Sequence, residues 1–485
     1  MEIKGDIGVI GLAVMGQNLI LNMNDKGFKV VVFNRTTSKV DAFLNGPASG
    51  RETILGSHSV EQFCSLLSRP RKVMLMVKAG AAVDSFIEQV LPFLEPGDCI
   101  IDGGNSFFKD TVRRTRDLSE KGIVFCGTGI SGGEEGARHG PSIMPGGNPD
   151  AWPLLKDIFQ SICARTPDDE PCCNWVGSDG AGHYVKMIHN GIEYGDMQII
   201  SEAYFLLKNL LGMDFPRMSG IFAQWNRTEL DSYLVEITAD ILGSKDEGGA
   251  FMLEKILDAA GQKGTGKWTG IDSLELGVPV TLITEAVYAR ALSVLVDQRA
   301  VASSVLAGPP VSFAGDKDEF VEDIRKALLA SKIISYAQGF MLMKIAAREY
   351  VWEIDFGDVA LMWRGGCIIR SVFLDKIKEA YQRNPALENL LLNDYFRGVL
   401  AQCQKSWRKV VGAAVNSGLA VPAFSSALSF YDGYRSPQSP ANLIQAQRDY
   451  FGAHTYERVD KPRGQYFHTN WTGRGGDTAA GSYSV

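Results

Sequence analysis

The feature that most restricts the fold of this chain is an alternation that stops. Up to residue 180, short apolar runs alternate with helical segments such as GQNLILNMNDKG (16–27). The runs are DIGVIG (6–11), KVVVFNR (29–35), RKVMLMV (71–77), GDCIIDGG (97–104) and GIVFCGTGIS (122–131). Strands alternating with helices require βαβ units and a mainly parallel sheet. After DEPCCNWVGSDGAG (169–182) the apolar residues recur with a period of 3.6, and strand candidates become few. The expected organisation is an α/β domain over 1–180, an all-α domain over 181–440, and a C-terminal segment and tail over 441–485.

The helical part carries an internal likeness. QIISEAYFLLKNLLGMDFPRMSGIFAQW (198–225) resembles KIISYAQGFMLMKIAAREYVWEIDFGDVALMW (332–363), which implies two packed copies of one helical unit. The tail, 466–485, is rich in Gly, Thr and Ser, and by itself it buries too little surface to offset its ordering entropy. It is therefore either disordered or ordered against something else. A net charge of −7 argues against a nucleic-acid binder, but leaves room for a local basic pocket that takes an anion. No apolar run reaches the ~20 residues of a membrane span. The start, MEIKGDIGVIGL, goes straight into a strand pattern without a signal-peptide layout. The eight cysteines include no C-x-x-C, which fits reduced thiols in a cytoplasmic protein better than a disulfide framework or a zinc site.

Chemistry first becomes legible directly after the first strand. GVIGLAVMGQNL places Gly11, Ala13 and Gly16 in a G-x-A-x-x-G pattern between a strand and a helix. In a Rossmann-type fold this turn lets the backbone approach a pyrophosphate, and the helix N-terminus faces the negative charge. The second strand ends in VVVFNRTTSK, where NAD-binding folds usually carry an acid for the ribose 2′-hydroxyl. Here Asn34, Arg35 and Thr36 stand instead, with Lys39 nearby. A guanidinium with hydroxyls suits a 2′-phosphate, which favours NADP. The competing reading makes Arg35 a solvated surface charge. Val77, Lys78 and Ala79, then Asn105 in DGGNS, and Ser131, Gly132 and Gly133 leading ISGGEEGARHGPSIMPGG fall in loops after later strands, where they would edge the same cleft.

The helix opening the all-α part, GHYVKMIHNGIEYGDMQ (182–198), breaks its own apolar pattern. Lys186, His189, Asn190 and Glu193 fall at i, i+3, i+4 and i+7, on one face. Lys186 and Glu193 are then roughly 10 Å apart along the axis, within reach of one small substrate. A desolvated lysine serves as a base near neutral pH, and a carboxyl can return a proton. A plain Lys–Glu surface stripe is the competing reading. Lys263 in AGQKGTGKW, Arg290 in EAVYARAL, and Arg448 and His454 in IQAQRDYFGAHTYER would form an anion site if they converge. Spacing alone does not decide that.

These segments, together with ALMWRGGCIIRS (360–371) and SSALSFYDGYR (425–435), resemble the 6-phosphogluconate dehydrogenase family over essentially the whole chain. The resemblance implies a Rossmann-type domain, a duplicated helical domain, and a tail that embraces the mate of a homodimer. It implies Lys186 as catalytic lysine and Glu193 as catalytic acid. Substrate contacts are implied for Asn105, Ser131, Gly132, Gly133, His189, Asn190, Tyr194, Lys263 and Arg290, with Arg448 and His454 arriving from the second subunit. NADP contacts are implied for Gly11, Leu12, Ala13, Val14, Met15 and Gly16, for Asn34, Arg35 and Thr36, for Val77, Lys78 and Ala79, and for Asn105. Only DTAAGSYSV (477–485) is too plain to match, and a cofactor contact from it stays open. The implied reaction oxidises 6-phospho-D-gluconate at C3 and releases C1 as CO2, giving ribulose 5-phosphate and NADPH in the pentose phosphate pathway. No divalent-metal ligand set is apparent, so no metal is expected. The alternatives are a short-chain β-hydroxyacid dehydrogenase and a non-enzymatic NADP-binding sensor. The first needs no cluster of Lys263, Arg290 and Arg448. The second tolerates loss of Lys186 or Glu193.

Overall fold

A computed structural model of the chain describes residues 4–475 and residue 480. The chain divides into two compact units, Met1–Ala427 and Leu428–Val485, so residue 440 lies inside the second.

The first unit opens with an eight-stranded sheet. Its strands are β1 (Ile7–Ile10), β2 (Val30–Phe33), β3 (Ile54–Gly56), β4 (Lys72–Leu75), β5 (Cys99–Asp102), β6 (Val124–Ser131), β7 (Ser142–Gly147) and β8 (Gly177–Ser178). The order is β3-β2-β1-β4-β5-β6-β7-β8. Strands β1 to β6 run parallel, β7 is antiparallel to β6, and β8 is parallel to β7. Both faces are covered, which is why the strands read as continuous apolar runs. Ile101 joins one core with Leu19 and Phe159, and its neighbour Ile100 joins the other with Phe63 and Phe86. The strand order reverses between β1 and β4, the place where doubly wound sheets open a crevice.

One expectation is corrected here. ISGGEEGARHGPSIMPGG reads as a loop, yet it holds a short helix, Gly133–His139, and the whole of β7. Its glycines divide between two duties: Gly132 and Gly140 flank the short helix at positive φ, while Gly146 lies in β7 where the backbone of Gly182 approaches it closely.

Past β8 the first unit is helical. The long helices Ala181–Asn209 and Lys317–Glu349, of 29 and 33 residues, lie against each other. Gly195 and Gly339 permit the contact: a Cβ on the first would stand 2.6 Å from Ser335 Oγ, and on the second 2.6 Å from Ile192 Cδ1. Each long helix is followed by an Asp-capped one. Asp214 accepts from the Arg217 N–H at 2.9 Å ahead of Phe215–Trp225, and Asp355 from the Asp358 N–H at 3.0 Å ahead of Phe356–Met362. Trp225 ends the one and Trp363 follows the other, so the two similar segments share a succession of elements. Among the described residues, no helix is long and apolar enough to cross a membrane.

The second unit is built around Asp449 on the helix Ala441–Gly452. Its fully buried carboxylate accepts from the N–H groups of Thr455 (3.0 Å) and Thr469 (3.0 Å), from Trp471 Nε1 (2.8 Å), and pairs with His468 Nδ1 (2.9 Å). Burial raises its pKa, but these hydrogen bonds hold it below the usual value. The described part of the tail is thus ordered against a helix of its own unit. Residues 477–479 and 481–485, from which a cofactor contact was left open, lie outside the described residues.

Candidate active site

The site begins with bare backbone. A Cβ on Gly129 of β6 would stand 2.3 Å from Lys186 Cβ, and one on Gly127 would stand 2.8 Å from His183 Nδ1. One on Gly146 of β7 would meet the Gly182 nitrogen at 2.5 Å. The first turns of Ala181–Asn209 therefore rest directly on the sheet, and Lys186 is carried to the ends of the central strands.

The polar row forms one connected face. Lys186 is buried, and its Nζ lies 3.4 Å from His189 Nδ1. That nitrogen is 3.0 Å from Asn190 Oδ1 and 3.8 Å from Glu193 Oε2. On its other side, His189 Nε2 is 3.2 Å from Ser131 Oγ at the end of β6. Burial lowers the Lys186 pKa against the pull of the Glu193 carboxylate. Burial also raises the Glu193 pKa, although Lys186, Arg290 and Lys263 oppose it. Burial and the Lys186 charge keep His189 neutral, with its pKa well below the usual value. The face thus holds a lysine prone to lose its proton and a carboxyl prone to keep one, with a neutral imidazole between them.

Other expected residues surround this face. Tyr194 is buried, and the Arg290 guanidinium stacks on its ring at 3.6 Å. Arg290 also donates to the Gly261 carbonyl at 3.2 Å, in the loop that carries exposed Lys263. Gly132 and Gly133 take φ of +118° and +63°. A Cβ on Gly132 would press on the Gly366 carbonyl at 2.6 Å, so this turn is closed to larger residues. Asn105 shares a narrow crevice with Ser106, His183, Lys186, Thr265 and Trp268. Arg448 and His454 lie in the second unit, where Gln445 accepts from Arg448 Nη1 (3.1 Å) and donates to the His454 carbonyl (3.4 Å).

At the sheet's switch point, Gly11 has φ +116°, and a Cβ there would stand 2.4 Å from the Met76 carbonyl. A Cβ on Gly16 would stand 2.0 Å from the Gly11 carbonyl. Ala13 begins the helix Val14–Asp25 without a capping side chain, which leaves its first N–H groups free for an anion. The buried Leu12 side chain points inward, so its part is backbone; Val14 is exposed, and Met15 is half-buried. Asn34 Oδ1 accepts from the Leu12 N–H at 3.1 Å, and its Nδ2 donates to the Thr36 carbonyl at 3.0 Å. Arg35, Thr36 and Lys78 are exposed, and Val77 and Ala79 are half-buried. These groups fit a dinucleotide carrying an extra phosphate.

A buried hub went unread in the sequence. Asp102, at the end of β5, accepts from the Gly104 N–H (3.1 Å), Ser106 Oγ (2.6 Å) and Arg114 Nη1 (3.2 Å). Arg114, also buried, is bidentate on Asp84 (2.8 and 3.0 Å) and donates to the Gly80 carbonyl (3.1 Å). One guanidinium thereby ties the loop of Val77–Ala79 to the loop of Asn105. Its only sequence signal is an acid ending an otherwise apolar strand, CIID.

The family model described as "NAD binding domain of 6-phosphogluconate dehydrogenase" matches residues 6–177, and "6-phosphogluconate dehydrogenase, C-terminal domain" matches 182–471. The chain belongs to the 6-phosphogluconate dehydrogenase family. Its sequence is 62% identical over 483 residues to the decarboxylating 6-phosphogluconate dehydrogenase of Ovis aries, covering 99% of this chain and 100% of that one. The enzyme of Haemophilus influenzae is also 62% identical, over 485 residues and the full length of both chains. Among solved structures, Plasmodium falciparum 6-phosphogluconate dehydrogenase matches with a TM-score of 0.91 and 44% identity, over 96% of this chain and 100% of that one. That enzyme has been determined in its apo form, with its cofactor NADP+ and with its substrate 6-phosphogluconate.

Proposed function

We propose that this chain catalyses the NADP-dependent oxidative decarboxylation of 6-phospho-D-gluconate to D-ribulose 5-phosphate and CO2. The observation that carries this reading is the buried face on which Lys186, His189 and Glu193 are linked at contact distance beside Asn105. Uncharged Lys186 takes the proton of the C3 hydroxyl. The chemistry that NADP supplies when bound is acceptance of the hydride from C3. The product of this step is a β-keto acid. Its C1–C2 bond breaks, C1 leaves as CO2, and the electron pair passes to the C3 oxygen, where the Lys186 ammonium holds the growing charge. Glu193 then delivers its proton to the enediol carbon that lost the carboxylate. His189, Asn190 and Ser131 hold the substrate hydroxyls, with the Gly132 and Gly133 backbone beside them, and Tyr194, Lys263 and Arg290 hold the anionic end. Gly11 through Gly16, Arg35, Thr36 and Val77 through Ala79 hold NADP.

The reading extends to a cytoplasmic homodimer in which Arg448 and His454 complete the substrate site of the mate. Eight free, buried cysteines support the reducing compartment. A compact C-terminal unit that keeps Arg448 and the His454 backbone on one glutamine supports delivery in trans. The experiment is turnover of 6-phosphogluconate with NADP, followed by NADPH absorbance and captured CO2. One CO2 per NADPH is expected. Oxidation of short 3-hydroxy acids with no action on 6-phosphogluconate would move the chain to the β-hydroxyacid reading.

A further inference from the structure

One turn past Glu193 on the same helix lies Asp196, fully buried. Residues three apart on a helix are neighbours on one face. Lys332, on the adjacent helix Lys317–Glu349, ion-pairs with Asp196 Oδ2 and is itself buried. Tyr336 OH lies 3.4 Å from the same oxygen and donates to the Ile369 carbonyl at 2.7 Å. The other oxygen, Oδ1, is buried with no hydrogen-bond partner. Buried polar atoms are almost always satisfied, and a carboxylate with one bare oxygen keeps more of its negative potential than a fully paired one. A tight fold has kept that potential next to a carboxyl that must carry a proton.

We propose that Asp196, docked by Lys332, is a positioning residue for the acid: the pair fixes the second long helix beneath Glu193 and sets the electrostatic potential at its carboxyl. This rests on the reading of Glu193 as the acid. Glu193 is faced by Lys186, His189 and Asp196 on its own helix, by Arg290 from Thr281–Ser293, by Lys263 from the loop before Thr265–Glu275, and by the Cys367 thiol. Asp196 is the one among them whose charge favours the protonated carboxyl. Asp196 shares the helix of Glu193, three residues away, whereas Lys332 reaches it from the neighbouring helix. Reversing or erasing the Asp196 charge must lower the pKa of Glu193.

Two full-length variants test this: the neutral pair Asp196→Asn/Lys332→Met and the swapped pair Asp196→Lys/Lys332→Asp. The readout is the pH dependence of kcat/KM, on whichever substrate the wild type turns over. The neutral pair is expected to move the alkaline limb of the bell, which the acid Glu193 sets, to lower pH by roughly half to one unit, and the swapped pair to move it further. A brace without electrostatic effect would scale the bell and leave its position. A folded neutral pair with an unmoved bell overturns the inference, and so does failure of both variants to fold, which would leave the pair a structural brace. If the swapped pair alone fails to fold, the neutral pair decides. Absence of 6-phosphogluconate turnover by the wild type counts against the proposed function instead.

Discussion

Gly129 and Lys186 meet across the boundary between sheet and helix, with no room for even a methyl group: a Cβ on the glycine would stand 2.3 Å from that of the lysine. The base is thus positioned by what β6 lacks. The substitution Gly129→Ala must push the helix off the sheet or tilt Lys186 within its crevice. Overpacking of this kind costs about 1–3 kcal/mol. We expect a lower Tm and a kcat that falls more than KM rises, because the disturbance acts on the reacting group. Thermal melts and steady-state kinetics check it, and an unchanged kcat would show that the contact does not position Lys186.

Glu202 links stability to pH. It is buried, accepts from the N–H groups of Ala423 and Phe424 at 2.9 Å each, and burial pushes its pKa from the usual 4.5 to about 7. A carboxyl raised in the folded state gives stability that is complete below its unfolded pKa and lost as pH rises to its folded one. Over that window the loss is about 3 kcal/mol at most. Glu202→Gln cannot titrate, so the stability gap between wild type and variant should change between pH 5 and pH 8, with the wild type losing ground at the higher pH. Urea unfolding at both values measures it, and a constant gap would refute it.

Arg35 should choose the cofactor. It is exposed at the end of β2 and makes no hydrogen bond or ion pair among the described residues, so its fork is free for a phosphate. Arg35→Ala should raise KM for NADP far more than KM for NAD, by on the order of tenfold or more, the size of one charge-assisted contact. Equal effects on both cofactors would remove Arg35 from the site.

Complementation tests the shared site. Lys186→Met and Arg448→Ala should each be nearly inactive. In a mixed dimer with contribution in trans, one site carries both lesions and the other neither. An equimolar mixture, unfolded and refolded together, should recover roughly a quarter of wild-type activity by two-fold symmetry. Verified heterodimers without that gain would place Arg448 in the same subunit as Lys186, or outside the site.

The legible parts of this molecule were those whose cause is local. Alternating apolar runs announced β1, β2, β4, β5 and β6, and the row from Lys186 to Glu193 announced itself by offending an apolar helix. What stayed hidden was nonlocal. Strand β7 was masked because its Gly146 serves a helix that begins more than thirty residues later, at Ala181. Arg114 reads as one more charge on a charged helix until the fold places Asp84 and Asp102 on either side of it. The Asp196–Lys332 pair joins residues 136 apart, and no periodicity connects them.

The amide of Asn34 has a consequence for how such a site can change. Both ends of that side chain are engaged with backbone, Leu12 on one side and Thr36 on the other. It is a rivet through the phosphate turn. Selection, or an engineer, seeking a different dinucleotide therefore has a separable module: positions 35 and 36 can be rewritten for a new ribose, while position 34 must stay if the turn is to keep its shape.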